Sequence, residues 1–315
     1  MKVLVIQTRY GIGDMLIFTP YLKAISKKTE TKISLLAKET SKAGELFKDE
    51  NFVEEIIKLD STNDRISGFF RLSKQIKSKT FDKVFIFNGS VRYRLLATFS
   101  GIREIHQYPL FTSKDIIFQT AKIFTENYVN KVLSTKTILN LSPEKVIKAK
   151  KTFEFKNDVK NIVLGISSSG ETKRWGVENY INLAIKLNKL KNCRFFIAAG
   201  KNDLEIIDKF KKSEIGTNCV SLENLTIQET LPIIKNCNFY IGNDSSFMHI
   251  SSALGIKSIG IFVDSPAYSY SGYSDNIIAI VPIGETLEST THDTLGKDKI
   301  SFAEVFEKTK RYLIN

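Results

Sequence analysis

A chain of 315 residues with 42% hydrophobic and 25% charged side chains can bury real cores and has the length of two domains, which excludes a disordered or fibrous protein. Its apolar runs, such as Val3-Leu4-Val5-Ile6 and residues 256–263, are too short to cross a bilayer, and Met1 runs into a strand pattern with no signal-peptide layout, so a cytoplasmic location is expected. The net charge of +12 is lopsided: residues 1–155 hold 27 Lys and Arg against 16 Asp and Glu, residues 156–315 only 19 against 18, and this basic first half points to an anionic partner.

Along the first half, β-branched runs predict strands at 2–8, 32–37, 56–60 and 82–88, with helical patterns between them. This βαβ order implies a mainly parallel sheet covered on both faces. Helical patterns follow at 114–132 and at 143–153, the second opened by Ser142-Pro143 as N-cap and first helical residue. The second half repeats the alternation, with strands at 161–167, 194–199, 218–222, 238–242, 258–263 and 277–281. The expected domains are 1–155 and 156–300, both Rossmann-like, followed by a helix in 301–315 whose candidate docking partner is the first domain. Cys193, Cys219 and Cys237 lack metal-ligand spacing and are odd in number, which favours buried reduced thiols over zinc or a disulfide framework.

Three segments sit where an apolar strand meets a helix, the place at which open α/β sheets collect ligands. In the first, Gly11-Ile12-Gly13 supplies a tight turn and Asp14 opens the apolar run Met15-Leu16-Ile17-Phe18, either as a helix cap or as a functional carboxylate. Thr19-Pro20 is expected to restart or kink that helix. The spacing fits neither a dinucleotide fingerprint nor a P-loop. In the second, Gly165-Ile166-Ser167-Ser168-Ser169-Gly170 leads to Lys173-Arg174-Trp175, an anion seat in which Lys173 offsets charge on a leaving diphosphate and Trp175 pins the loop. In the third, Gly242 ends a strand and a helix starts near Ser246, so its first amides and the hydroxyls of Ser245 and Ser246 form a diphosphate cradle. Asp244 would repel a phosphate and is expected to shape the turn or accept from a sugar hydroxyl or N–H; His249 is either a phosphate donor or a satisfied structural histidine.

In this order the segments resemble the heptosyltransferase-type family of bacterial glycosyltransferases, family 9. The resemblance rests on Arg9, Ile12-Gly13-Asp14 and Thr19-Pro20; on Gly165, Ser167 and Lys173-Arg174-Trp175; and on Gly242, Asp244 and His249, with Asn88-Gly89-Ser90-Val91-Arg92 and Ser100-Gly101 similar to its acceptor loop and helix. Ser245-Ser246 stands where the family has Thr-Gly, so Ser246 carries a Cβ where glycine permits positive φ or a closer phosphate.

The resemblance implies a GT-B-like α/β fold, two Rossmann-like domains facing a central cleft, with acceptor bound by the first and nucleotide sugar by the second. It implies an inverting transferase moving heptose from ADP-heptose to a lipopolysaccharide inner-core or related glycan, without a cofactor or metal; the sequence contains no Asp-x-Asp. Asp14 and Lys173 are the expected catalytic residues. Gly13, Ser167, Arg174, Gly242, Asp244, Ser245, Ser246, Phe247 and His249 are expected to bind donor, and Arg9, Arg92 and Arg94 to bind acceptor. The expected partners are a nucleotide sugar, an anionic glycolipid or glycan, and the inner-leaflet membrane surface, with no nucleic acid. The alternatives are a family-9-like transferase with another nucleotide sugar or a non-lipopolysaccharide acceptor, and a non-catalytic nucleotide-sugar or glycan-binding protein.

Overall fold

Val3, Leu4, Val5 and Ile6 are at most 1% exposed, and a run of aliphatic residues wetted on neither face forms the central strand of a parallel sheet. In the computed structural model, which describes residues 1–109 and 116–314, that strand lies in the first of two units, Met1–Leu139 and Asn140–Asn315.

The first unit runs β1 (Val3–Gln7), α1 (Ile12–Lys28), β2 (Ile33–Lys38), α2 (Ala43–Leu46), β3 (Val53–Leu59), α3 (Ile66–Ser78), β4 (Lys83–Ile86), α4 (Val91–Phe99), β5 (Glu104–Gln107) and α5 (Ile117–Val129). All its strands are parallel, in the order β3-β2-β1-β4-β5. On one face Leu4, Ile6, Leu36, Val84 and Ile86 form a core with Leu72 and Ile76 of α3 and Leu96 and Ala97 of α4. The helix expected over 114–132 is α5; Lys114 and Asp115 lie outside the described residues. Strand β5 was not expected, because Glu-Ile-His-Gln is short and offers no apolar run.

Pro20 lies inside α1 without ending it. Proline has no N–H to give to the carbonyl four residues back. That carbonyl, of Leu16, instead accepts from the Thr137 hydroxyl at 2.9 Å.

The second unit runs α6 (Pro143–Thr152), β6 (Lys160–Gly165), α7 (Val177–Leu190), β7 (Cys193–Ile197), α8 (Leu204–Lys212), β8 (Cys219–Ser221), α9 (Ile227–Lys235), β9 (Phe239–Asn243), α10 (Ser246–Ala253), β10 (Lys257–Ile261), α11 (Ala267–Ser271), β11 (Ile277–Ile280) and α12 (Phe302–Ile314). Its parallel sheet is ordered β11-β10-β9-β6-β7-β8. In each sheet the order reverses once, between β1 and β4 and between β6 and β9, the switch point at which such sheets bind ligands.

The division falls at Leu139/Asn140 and not at the expected 155/156. Helix α6 docks on the second unit, where the Asn236 side chain donates to the Val146 carbonyl at 3.0 Å, and Phe155 stacks on Phe196 of β7 at 5.0 Å. The terminal helix also departs from expectation: α12 belongs to the second unit, where Phe302 stacks on Trp175 at 5.8 Å and lies under the Lys186 ammonium. Cys193 and Cys237 are buried free thiols and Cys219 is half-buried; burial pushes the Cys193 and Cys219 thiols up to about 12.

Candidate active site

In the first unit, the carboxyl end of β1 gathers the first motif. Asp14 is the third residue of α1, and one carboxylate oxygen accepts from the Gly11 N–H at 3.2 Å, so it serves the helix start. The other oxygen pairs with Arg9 Nε at 2.9 Å, with the Asp14 side chain 16% exposed and that of Arg9 42%. Gly13 is buried in the same turn, and the exposed Tyr10 ring carries the Lys38 ammonium 3.4 Å from its centre. From β4, Asn88 Nδ2 donates to the Thr8 hydroxyl at 2.8 Å and its Oδ1 accepts from Ser90 N at 2.7 Å, tying the two strand ends and the start of α4 together.

The other two acceptor candidates differ. Arg92 donates to the Asn63 carbonyl and lies 5.3 Å from the Phe69 ring centre, whereas Arg94 is exposed on the same helix. Sequence reasoning missed Gln7 and Tyr108. Gln7 closes β1 at 0% exposure, and neither of its amide atoms, nor the buried Tyr108 hydroxyl, has a hydrogen-bond partner among the described residues. Both lie in the last row of the sheet on the Phe87 face, two strands apart, since Phe87 N bonds Ile6 O and Tyr108 N bonds Ile86 O. Burial pushes the Tyr108 phenol well up, with Tyr21 adding to the rise and Arg9 opposing it. A polar residue closing an otherwise apolar strand was the available signal for Gln7.

In the second unit, the ends of β6 and β9 meet so closely that side chains are excluded. Gly165 pairs with Gly242 across the strands; a Cβ on Gly242 would stand 2.5 Å from the Gly165 Cα, and one on Gly165 would run into the Tyr240 phenol. That phenol donates to the Asn243 carbonyl at 2.8 Å and lies 3.2 Å from the Ser245 hydroxyl. Helix α10 starts here, with Ser245 as an extended N-cap, so its first N–H groups and the two serines stand at one strand end. Neither Ser245 nor Ser246 has positive φ, so the replacement of Thr-Gly carries no backbone strain.

The fully buried Asn243, also missed, is the clamp of this edge. Its Nδ2 donates to the Ile166 carbonyl at 3.0 Å, and its Oδ1 accepts from Trp175 N and the Tyr180 hydroxyl, each at 2.9 Å. Trp175 is buried between Tyr180 and Phe302, so the cation loop is pinned as expected. The two cations it presents are unlike. Arg174 is held by Asp203 at 2.8 Å, and the same carboxylate accepts from the Ser167 hydroxyl at 2.6 Å and from Gly200 N at 3.1 Å. The Lys173 ammonium has no hydrogen bond or ion pair among the described residues, and the residue is half-exposed, which leaves its charge for a ligand. Asp203 was missed, although Gly200-Lys201-Asn202-Asp203 after β7 reads as a helix-start turn.

His249 is 3% exposed, with Nδ1 2.8 Å from the Tyr273 hydroxyl and Nε2 3.6 Å from the Asp244 carboxylate, too long for a hydrogen bond. Of its two expected readings, the geometry is that of a satisfied histidine behind the cradle. Ser168 donates to the Asp244 carbonyl at 3.1 Å, and Phe247 is half-buried beside the serines. Among the described residues, no group of three or more His, Cys, Asp or Glu is placed to hold a metal ion, and no helix is long and apolar enough to cross a membrane.

The profile of glycosyltransferase family 9 (heptosyltransferase) matches residues 69–297. Lipopolysaccharide heptosyltransferase 1 of Campylobacter coli is 27% identical over 211 residues, covering 65% of this chain and 54% of that protein, so the chain spans about half the length of this relative. Among solved structures, E. coli ADP-heptose lipopolysaccharide heptosyltransferase II superposes with a TM-score of 0.78 at 18% identity, covering 100% of this chain and 99% of that one. The E. coli heptosyltransferase WaaC with ADP superposes with a TM-score of 0.73 at 13% identity, covering 99% and 100%. At such identities the likeness shows the fold: two parallel α/β units of the GT-B type.

Proposed function

This chain belongs to glycosyltransferase family 9, and on that premise we propose that it transfers heptose from ADP-heptose to a hydroxyl of a lipopolysaccharide inner-core or related glycan, with inversion and without a metal. The first unit takes the acceptor and the second the nucleotide sugar. The observation that carries this reading is the placement of the motifs in each sheet, at the strand ends where strand order reverses.

Asp14 takes the proton of the acceptor hydroxyl as its oxygen attacks the anomeric carbon. The bond from that carbon to the diphosphate oxygen breaks on the opposite side, and the electron pair leaves with ADP. Lys173 and the start of α10 with Ser245 and Ser246 meet the charge that grows on the diphosphate. Asp203 holds Arg174 and Ser167 in place toward the donor, while Gly242, Asp244, Phe247 and His249 shape its seat. Gly13, the second residue of α1 beside Asp14, is assigned to the donor. Arg9, Arg92 and Arg94 answer anionic groups of the acceptor. The protein works in the cytoplasm at the inner face of the inner membrane.

The test is release of ADP from ADP-heptose in the presence of a heptose-free inner-core acceptor, with the product read by mass spectrometry. ADP release that survives EDTA and gives a product heavier by one heptose is the expected result. Activity lost to EDTA and restored by magnesium would overturn the metal-free mechanism. Transfer only from another nucleotide sugar would overturn the donor assignment and leave the family standing.

A further inference from the structure

Helices α3 and α4 carry an apolar surface that the core does not use. On α4, Val91, Leu95 and Phe99 recur every four residues and share one stripe; on α3, Ile66 and Phe70 do the same. All five are between 40% and 79% exposed. The stripes meet in an aromatic cluster, with ring centres 5.5 Å apart for Phe69 and Phe70, 6.1 Å for Phe69 and Phe99, and 6.2 Å for Phe70 and Phe99. Edge-to-face contacts hold these rings, so the patch is preformed. Contiguous apolar surface of this kind marks an interaction site, unlike single exposed side chains.

Its surroundings are cationic. The two helices hold Arg71, Lys74, Lys77, Arg92 and Arg94 and no Asp or Glu. Arg71 donates to the Thr62 hydroxyl and Arg92 to the Asn63 carbonyl, neutral acceptors that leave both charges in place; Asp60, ahead of α3, offsets part of that on Arg71. The whole unit, residues 1–139, carries 23 Lys and Arg against 14 Asp and Glu. A second copy of the chain would set these cations against one another. A soluble anionic glycan would satisfy the cations and leave Ile66, Val91 and Leu95 wet.

We infer that the α3–α4 face docks on an anionic lipid bilayer, with Ile66, Phe70, Leu95 and Phe99 at the boundary of headgroups and acyl chains and Arg71, Lys74 and Lys77 of α3 at the lipid phosphates. Apolar burial and attraction to anionic lipid are the two terms that bind such surfaces. The inference rests on the family reading only for what the docked protein then does; the docking itself rests on the patch.

Flotation with vesicles tests it. The wild-type protein should bind phosphatidylglycerol–phosphatidylethanolamine vesicles at low salt and not phosphatidylcholine vesicles. Phe70→Ser with Phe99→Ser should lower lipid partition at least about tenfold, as should Lys74→Glu with Lys77→Glu, each cation near the surface being worth about fivefold. ADP affinity should not change in either variant. Because the sole native tryptophan, Trp175, is buried, Phe70→Trp supplies a second readout: its emission should shift to the blue when anionic vesicles are added. The inference is overturned if the wild type ignores anionic vesicles, or if the double serine variant binds them as well as wild type. A blue shift that follows protein concentration without lipid would also overturn it, in favour of an interface between copies. Loss of ADP binding in the wild type would strike the transferase reading and leave the docking result untouched.

Discussion

The two sheets share a strand order, apart from the extra edge strand β11 of the second, and finish their switch points in opposite ways. At the second, glycines at 165 and 242 bring β6 and β9 together, and Asn243, Asp203 and Tyr240 tie strand ends, cation loop and helix start into one hydrogen-bonded edge. At the first, Arg9 and Asp14 pair at the surface and Tyr10 is exposed, while Gln7 and Tyr108 leave polar atoms without partners among the described residues. The difference is between an edge built to hold fixed dipoles and one whose reachable groups are side chains at the surface, the 42%-exposed Arg9 and the exposed Tyr10. Fixed dipoles suit a nucleotide diphosphate, whereas the side chains of the first edge are free to follow a larger ligand.

The hardest blow to this division comes from Asp14→Asn. Asn still accepts from the Gly11 N–H and keeps the helix start, but it cannot take a proton, so turnover should fall about 10²–10⁴-fold with folding and ADP affinity near wild type. Retained activity would reduce Asp14 to a helix cap and the first edge to a structural one. Lys173→Ala should lower kcat about 10²–10³-fold with a smaller loss of ADP affinity, because a cation beside the diphosphate acts most where charge grows. If Arg174→Ala costs as much in kcat, the contrast between the free cation and the clamped one fails.

Gly242→Ala probes the closed edge directly. The new Cβ meets Gly165 backbone, which cannot swing aside, so the melt should show a loss of about 1–3 kcal/mol and weaker ADP binding. Asp203→Asn keeps the shape and removes the charge that holds Arg174; ADP affinity should drop about tenfold, or ~1.4 kcal/mol, in a calorimetric titration. The last test leaves binding and turnover untouched and is chemical. Burial raises the Cys193 thiol to about 12, so its thiolate stays scarce as pH rises through 9, and alkylation at pH 8 should be at least about a hundredfold slower than for free cysteine. Fast labelling would mean that the start of β7 opens readily.

Most of the fold was readable because buried parallel strands are long apolar runs, as in Val3 to Ile6 and Phe239 to Ile241. Strand β5 was not, since it is short and polar, and its place beside β4 is a tertiary fact. The 139/140 division and the docking of α12 were hidden for the same reason: an amphipathic helix announces a buried face but not its partner. In the candidate site, glycines and charged residues at strand ends stood out. Lys173 was set apart from Arg174 as the catalytic cation, but the physical reason for the contrast was not legible, because the carboxylate that ties Arg174 down, Asp203, lies 29 residues beyond it. Asn243 was passed over between two more conspicuous neighbours, though its four hydrogen-bonding contacts at the strand ends make it the hub of that edge.

The stacking of Phe302 on Trp175 ties the last helix to the loop that displays Lys173. A chain shortened before residue 302 would leave both sheets intact and remove one wall from beneath that loop, so the second unit should still melt cooperatively while the lysine wanders. The single tryptophan sits at that joint and would report the change by its emission, which makes the molecule's own fluorescence a gauge of whether its far end is seated.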